Sequence, residues 1–412
     1  MSDPIKHECG VALIRLRKPL EFYRDKYGTE LYGLKKLQML MSKQLNRGQD
    51  GAGLAAIKLN PEYGSRYIAR ERAIGSGAVS TLFGRLNKRY HSLNPDKVTN
   101  TSWLKKNYPY AGELLLGHLR YATHGKSSIE NVHPFLRQNN WMSRNLVLAG
   151  NYNMTNVQAM YRQLIDLGQH PKEISDNVTM LEKIGHFLDE ENARLYHDFK
   201  KDGMDSLAIA DKIKNNLDLE YVLKNAFKNV DGGYNMVGLI GDGNAFVMRD
   251  PNGIRPNYYW ANDEVVVVAS ERSAIQTAFD LQQEDLKEVT PGSALIIARD
   301  GSFEEKQILA PLERLSCSFE RIYFSRGSDG KIHEERKRLG RKLARKILKR
   351  LDYDIRSTVF SYIPNTAATS YYGLVDGIYK YLDKWKREAI LKLGSNAQPE
   401  EIDKLLSVKI RR

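Results

Sequence analysis

His7-Glu8-Cys9-Gly10-Val11-Ala12-Leu13-Ile14 is the stretch on which the reading of the fold turns. A cysteine stands at the head of an apolar run, with eight residues before it, and Cys317 is the only other cysteine in 412 residues. Residues 9–14 predict a buried strand. Two roles fit its first residue. A small thiol can simply pack at the start of a core strand. Alternatively, it is a nucleophile at a mature N-terminus, where its own α-amine can serve as base. The rest of the chain decides between them.

Composition sets the bounds. The length suggests two or three domains, and 42% apolar residues are enough to build cores. Two cysteines exclude a disulfide framework and point to a reducing, cytoplasmic setting. No apolar run reaches about 18 residues, so neither a membrane span nor a membrane partner is expected. The first eight residues lack the apolar segment of a secretory signal. The net charge is +13, with much of the excess at 335–346. There Leu339, Leu343 and Ile347 recur as on a helix with a basic solvent face. No aromatic-basic interleaving accompanies them. A solvated face, or a site for a phosphorylated substrate, is therefore favoured over nucleic acid.

Outward from Cys9, residues 15–33 are a charged, Tyr-rich insertion without a clear period, and 34–45 predict a helix. Asn46-Arg47-Gly48-Gln49-Asp50-Gly51-Ala52-Gly53 ends it. Three glycines in six residues permit close backbone approach and lead into a strand at 54–57. Arg47 can orient a carboxylate or hold a loop. The strand at 113–119 runs into a polar turn carrying Arg120, Thr123 and His124. A guanidinium fork and a hydroxyl suit the carboxylate of a free amino acid. His118, His124 and His133 match no helical metal-binding pair, and no cysteine lies near them in sequence, so no metal is expected. Residues 146–156 are an apolar strand ending in Gly150-Asn151-Tyr152-Asn153. An Asn amide beside a backbone N–H makes a workable oxyanion hole; equally, these residues can simply form a turn. Thr155 or Asn156 would cap the following helix, and Ser175 or Asp176 the next. Asp176 could instead hold a substrate ammonium.

From residue 231 the pattern turns to β. Strands at 235–240 and 245–248 flank an Asp242-Gly243 turn, and further strands follow at 265–269 and 294–297. Ser270-Glu271-Arg272-Ser273 would cap the helix between these last two. Strands, helices, then strands predict two sheets with helices outside, an α+β layered sandwich.

Cys9-Gly10, Arg47-Gly48-Gln49, Arg120-Tyr121-Ala122-Thr123-His124-Gly125, Asn151 with Asn153, and Ser175-Asp176 occur in this order. Together they resemble the glutaminase domain of class II glutamine amidotransferases, which have the N-terminal-nucleophile hydrolase fold. The resemblance spans Cys9 to about residue 305. Arg249-Asp250-Pro251-Asn252-Gly253-Ile254-Arg255-Pro256, Val268-Ala269-Ser270-Glu271 and Cys317-Ser318-Phe319-Glu320-Arg321-Ile322-Tyr323-Phe324-Ser325-Arg326 look like the amidophosphoribosyltransferase family within that class.

The resemblance implies that residues 1–8 are a propeptide. It implies that 9–308 form an αββα glutaminase sandwich, and that 309–412 are a linker and the start of an incomplete α/β phosphoribosyltransferase-type domain. Cys9 would attack the side-chain amide of glutamine once residues 1–8 are removed. An α-amine titrating at about 7.7–8.0 is then a usable base. Asn151 and the backbone N–H of Tyr152 would stabilise the oxyanion. Arg120 and Thr123 would bind the substrate α-carboxylate, Asp176 its ammonium, with Arg47 and His124 also on the substrate side. Ammonia would then attack C1 of phosphoribosylpyrophosphate to give phosphoribosylamine, the first step of purine synthesis. Mg would accompany phosphoribosylpyrophosphate in full-length members, which are expected to be homo-oligomers. An iron–sulfur cluster needs four thiolates and is not supported. Alternatives are another class II amidotransferase or a non-catalytic homologue.

Departures are concentrated at two places. The class usually has His-Asn-Gly-Asn where this chain has Gly150-Asn151-Tyr152-Asn153, and a histidine where it has Asn46. At the end, 336–351 predict a helix, 358–363 a first strand and 371–379 another helix. The sequence carries no apolar strand ending in the acidic pair that binds phosphoribosylpyrophosphate, so a truncated chain is expected. Residues 187–225 look like an insertion.

Overall fold

The computed structural model describes residues 9–121, 128–364 and 366–411. They divide into two compact units, Met1–Cys317 and Ser318–Arg412.

The first unit is built on thirteen strands: β1 (Gly10–Leu16), β2 (Gly51–Ile57), β3 (Ile68–Ile74), β4 (Leu114–Arg120), β5 (Phe135–Arg137), β6 (Leu146–Met154), β7 (Gly232–Ile240), β8 (Ala245–Arg249), β9 (Tyr258–Ala261), β10 (Val265–Ala269), β11 (Lys287–Glu288), β12 (Ser293–Ile297) and β13 (Phe303–Gln307). One sheet has the order β11-β9-β10-β1-β4-β2-β3 and the other β13-β12-β8-β7-β6-β5. Every residue of β1 is buried. Its alternation divides them: Val11 and Leu13 join Val147, Ala149, Val237 and Val247 in one cluster. Ala12, Ile14 and Leu16 join Leu37, Leu40 and Met41 in another. Because successive side chains leave a strand on opposite faces, this sorting defines layers. The two sheets face each other across the first cluster. The helices Tyr32–Lys43, Ala78–His91 and Arg272–Phe279 cover the outer face of one sheet. The helices Val157–Asp166, Asp176–Lys201 and Leu219–Ala226 cover the other. A strand sandwiched between a helix layer and a second sheet must be apolar on both faces, and that is why the run after Cys9 shows no polar alternation.

Several local expectations change in the folded chain. Residues 15–33 contain a helix, Leu20–Tyr27, whose Tyr23 and Tyr27 stack on Tyr32 at 5.1 and 4.3 Å. Helical pattern was hard to read there because tyrosine supplies the apolar face. Asn156 occupies the N-cap position of its helix, but its side chain bonds Asn229 and Asp231 instead of the helix N–H groups. Ser175 does cap, accepting from Val178 N at 3.2 Å. Among Ser270 to Ser273, no side chain caps the helix. Ser270 Oγ accepts from Val11 N at 3.0 Å, and Glu271 is directed to Arg47.

In the second unit, the helices Gly330–Arg350 and Ala368–Leu393 pack through Ala344, Leu348, Val375, Ile378 and Leu382. A Cβ at Gly340 would overlap the Ser370 carbonyl, and one at Gly373 the Lys337 carbonyl. The glycines thus bring the helix backbones together. The strand expected at 358–363 is corrected: among the described residues it makes one isolated parallel bridge, Val359 to Arg411. Ile363 is 85% exposed. A strand gains its hydrogen bonds only from a neighbour, and among the described residues of this unit that single bridge is the only pairing beside it. The described part of the unit is therefore helical rather than α/β. Among the described residues, no helix is long and apolar enough to cross a membrane.

Candidate active site

Strand register assembles the site. β1 pairs antiparallel with β4, with Gly10 opposite Leu119, so Cys9 stands beside Arg120 at the end of that sheet. β6 lies in the facing sheet. On it Asn151 points the same way as Val147 and Ala149, towards β1, whereas Tyr152 points with Leu148 towards the helix layer. The backbone N–H of Cys9 donates to Asn151 Oδ1 at 3.3 Å across 142 residues of sequence. This bond turns the Asn151 amide so that Nδ2 is left without a partner among the described residues.

A cavity of about 160 Å³ opens here, lined by Cys9, Arg120, Asn131, His133, Gly150, Tyr152, Asp176 and Asn177. Arg120 is 8% exposed, and its Nη1 is buried with no partner among the described residues. Asp176 opens the helix Asp176–Lys201, and its Oδ1 accepts from Asn177 N at 2.8 Å. Burial holds the Asp176 carboxyl above its ordinary range, against the opposing pull of backbone N–H groups. A buried polar group without a partner is costly. The Nδ2 of Asn151 and the Nη1 of Arg120 are therefore donors built to meet something else. A thiol, a guanidinium and a carboxylate line one small cavity, and the Asn151 amide is bonded to the Cys9 N–H beside it; together they match the groups of an amino acid with a reactive carbonyl.

Gly150 is held by two histidines. His118 Nε2 lies 3.1 Å from the Gly150 carbonyl, and Gly150 N donates to His133 Nδ1 at 3.3 Å. The two rings stack at 4.2 Å. Neither histidine was expected in this part from sequence, where both were weighed only for metal. Asn177, next to Asp176, was also missed, although its place at a helix start beside a candidate residue was a usable signal. Of the sequence candidates, Cys9, Arg120, Asn151, Tyr152 and Asp176 come together. Thr123 and His124 lie outside the described residues. Arg47 is fully buried, with Nε 2.9 Å from Glu271 Oε1. It packs beneath Gly10, where a Cβ would touch its side chain at 3.4 Å. The carboxylate it orients is thus Glu271, and it is a residue that supports the loop, absent from the cavity lining.

Complete burial pushes the His118 imidazole down from 6.5 to about 3, so it is neutral in the folded protein. The unfolded chain binds a proton that the folded chain does not throughout the interval between these values. Stability is thus present above pH 6.5 and falls as pH drops below it, by on the order of 1.4 kcal/mol per pH unit, until about pH 3. We expect thermal unfolding from pH 7.5 to 4.5 to show this slope and His118→Gln to reduce it. An unchanged slope in the variant would assign the acid sensitivity to other groups.

Comparison with known proteins agrees with this geometry. The profile described as glutamine amidotransferases class-II matches residues 84–191, the segment that holds β4, β6 and the start of the helix carrying Asp176. The chain is 31% identical to the amidophosphoribosyltransferase of Bacillus subtilis over 324 residues, covering 76% of this chain and 52% of that protein. It is 29% identical to the amidophosphoribosyltransferase of Saccharomyces cerevisiae, over 79% of this chain and 56% of that one. The solved structure of the allosteric regulatory enzyme of purine biosynthesis superposes with a TM-score of 0.57 at 27% identity, covering 90% of this chain and 63% of the other. Glutamine phosphoribosylpyrophosphate amidotransferase from B. subtilis, complexed with ADP and GMP, gives 0.55 at 25% identity, with 98% and 71% covered. Over these segments the chain is similar to the class II glutamine amidotransferases, and within that class to the amidophosphoribosyltransferases. It spans about half the length of the curated relatives it matches.

Proposed function

We propose that the first unit is a glutaminase of the N-terminal-nucleophile kind, in which Cys9 becomes the first residue after loss of residues 1–8. The observation that carries this reading is the Asn151 side chain: it accepts from Cys9 N while its own buried Nδ2 faces no partner among the described residues. The freed α-amine takes the thiol proton, and the thiolate attacks the γ-carbonyl of glutamine. Charge develops on the carbonyl oxygen, and Asn151 Nδ2 is one donor for it. The backbone N–H of Tyr152 is the second. β5 pairs with β6 only as far as Leu148, and beyond it the N–H and C=O of Gly150 turn to the histidines on that open edge. Backbone groups alternate sides along a strand, so the N–H of Tyr152 points to the same edge. Arg120, with Thr123, receives the α-carboxylate and Asp176 the ammonium. The α-ammonium returns its proton to the amide nitrogen, which departs as ammonia as the C–N bond breaks, and water then hydrolyses the thioester to release glutamate and restore the thiol.

In the longer relatives the ammonia acceptor is phosphoribosylpyrophosphate, and we assign that transfer to a cytoplasmic, homo-oligomeric full-length enzyme. Among the described residues of the second unit, no cluster of acidic side chains is available to hold the Mg that accompanies this substrate. Asp376, an acid between that unit's two long helices, is tied to Lys337 at 3.1 Å and Arg341 at 3.4 Å. No step through the metal is derived. Two cysteines likewise cannot hold an iron–sulfur cluster.

The test is glutamate release from glutamine by purified protein. Asn151→Ala should lower kcat by about 10²–10³-fold, the usual cost of one oxyanion donor, with an unchanged far-UV spectrum. Equal rates in wild type and variant would remove Asn151 from the chemistry. Complete absence of glutamate from the processed wild type would favour a non-catalytic homologue.

A further inference from the structure

Gly150 and Tyr152 lie two apart on one strand and so share a face. A Cβ at Gly150 would meet Tyr152 Cδ1 at 2.5 Å and Cε1 at 2.6 Å. The tyrosine ring thus lies back over the glycine. Where the class usually places bulk first and glycine third, this chain places glycine first and bulk third. The ring is 4% exposed, and its centroid is 5.5 Å from that of His133. Its hydroxyl donates to Asn177 Oδ1 at 2.6 Å. Asn177 N in turn donates to Asp176 Oδ1 at 2.8 Å. One side chain therefore lines the cavity and is linked through Asn177 to the Asp176 carboxylate, which lines it too.

We propose that Tyr152 determines the substrate specificity of this site. The ring closes the pocket around an unsubstituted side-chain amide, and the hydroxyl, through Asn177, sets the position of Asp176 for the substrate ammonium. This rests on the reading of the cavity as the glutamine site. The side chain acts in two separable ways. Removing only the hydroxyl should loosen Asp176 and weaken ground-state binding. Removing the ring should open the wall and admit amides carrying a substituent on nitrogen.

Two variants test these parts. Tyr152→Phe keeps the ring, and KM for glutamine should rise about fivefold or more while kcat changes less. Tyr152→Ala should raise the ratio of kcat/KM for γ-glutamyl-p-nitroanilide to that for glutamine at least tenfold. Binding is read separately in the Cys9→Ala background, from the glutamine concentration giving half the maximal thermal shift. Adding Tyr152→Phe should raise that concentration by the same factor as KM. An unmoved KM and an unmoved half-shift concentration in Tyr152→Phe overturn the positioning role. An unmoved substrate ratio in folded Tyr152→Ala overturns the wall. If Tyr152→Ala does not fold, the phenylalanine variant decides alone. A wild type that binds glutamine but does not hydrolyse it removes the glutaminase reading and leaves this one standing on the binding data. A wild type that binds no glutamine removes both.

Discussion

Cys9→Ala is expected to lose glutamine hydrolysis by about 10³-fold or more while remaining folded. The separation of the two effects follows from what Cys9 contributes. Its structural role lies in the backbone: the N–H to Asn151 Oδ1 bond and the register of β1 do not depend on the side chain. Replacing a small buried thiol by a methyl group leaves little cavity, so the cost to stability should be within about 1 kcal/mol. The proposed chemical role is shared between the sulfur, as nucleophile, and the freed α-amine, as base, and this variant removes only the sulfur. Without it, Asn151, Arg120 and Asp176 can bind the substrate but nothing forms the thioester. Cys9→Ser should be intermediate, since a hydroxyl is the weaker nucleophile. Glutamate release gives the rate, and intact mass gives the processing. A chain that still carries residues 1–8 presents an amide nitrogen at Cys9, which cannot act as a base. Such a chain should be as inactive as the alanine variant. Hydrolysis at the wild-type rate by either species would sink the N-terminal-nucleophile mechanism.

Glu271→Ala should be among the most destabilising substitutions in the first unit, by about 3–5 kcal/mol, the range for removing one partner of a buried ion pair. Arg47 is one of the largest fully buried side chains, and its guanidinium faces Glu271 at 2.9 Å. The same carboxylate accepts from Asn46, and the Glu271 N–H donates to Gln44 Oε1 at 3.2 Å. One residue thus ties the Gly-rich turn at 46–53 to the end of β10. A domain is stable by only about 5–15 kcal/mol, so the loss should be visible as a large fall in the urea midpoint. Glu271→Gln, which keeps an acceptor oxygen without the charge, should fall between. Activity should decline with the alanine variant even at temperatures where it is folded, because Arg47 supports Gly10, the residue after the proposed nucleophile. A urea midpoint equal to wild type would mean that Arg47 is satisfied without this carboxylate.

How far the site could be read beforehand depended on the range of each interaction. The strand after Cys9, the helix at 34–45 and the Ser175 cap are local patterns, and each is present at nearly the expected place. The expected caps at Thr155 or Asn156 and at 270–273 were local readings too, but the polar side chains there were recruited by distant partners. Propensity yields to tertiary demand where a buried donor elsewhere would otherwise be unsatisfied. The strand at 358–363 failed for the opposite reason, since its local pattern was sound but only one bridge is available to it.

By itself, the sequence determined the order of the elements and the residue types available for chemistry, because hydrophobic period and turn composition act over a few residues. It placed a thiol at the head of a doubly buried strand, with an arginine, an asparagine and an aspartate following at later element ends. Only the tertiary structure decided which of these meet. The contact between Cys9 and Asn151 crosses 142 residues and depends on the register of β1 on β4 and on how the two sheets face each other. The same packing of distant segments buries Arg47 against Glu271. A one-residue slip along a strand exchanges its two faces, and no local pattern records which partner strand sets that register.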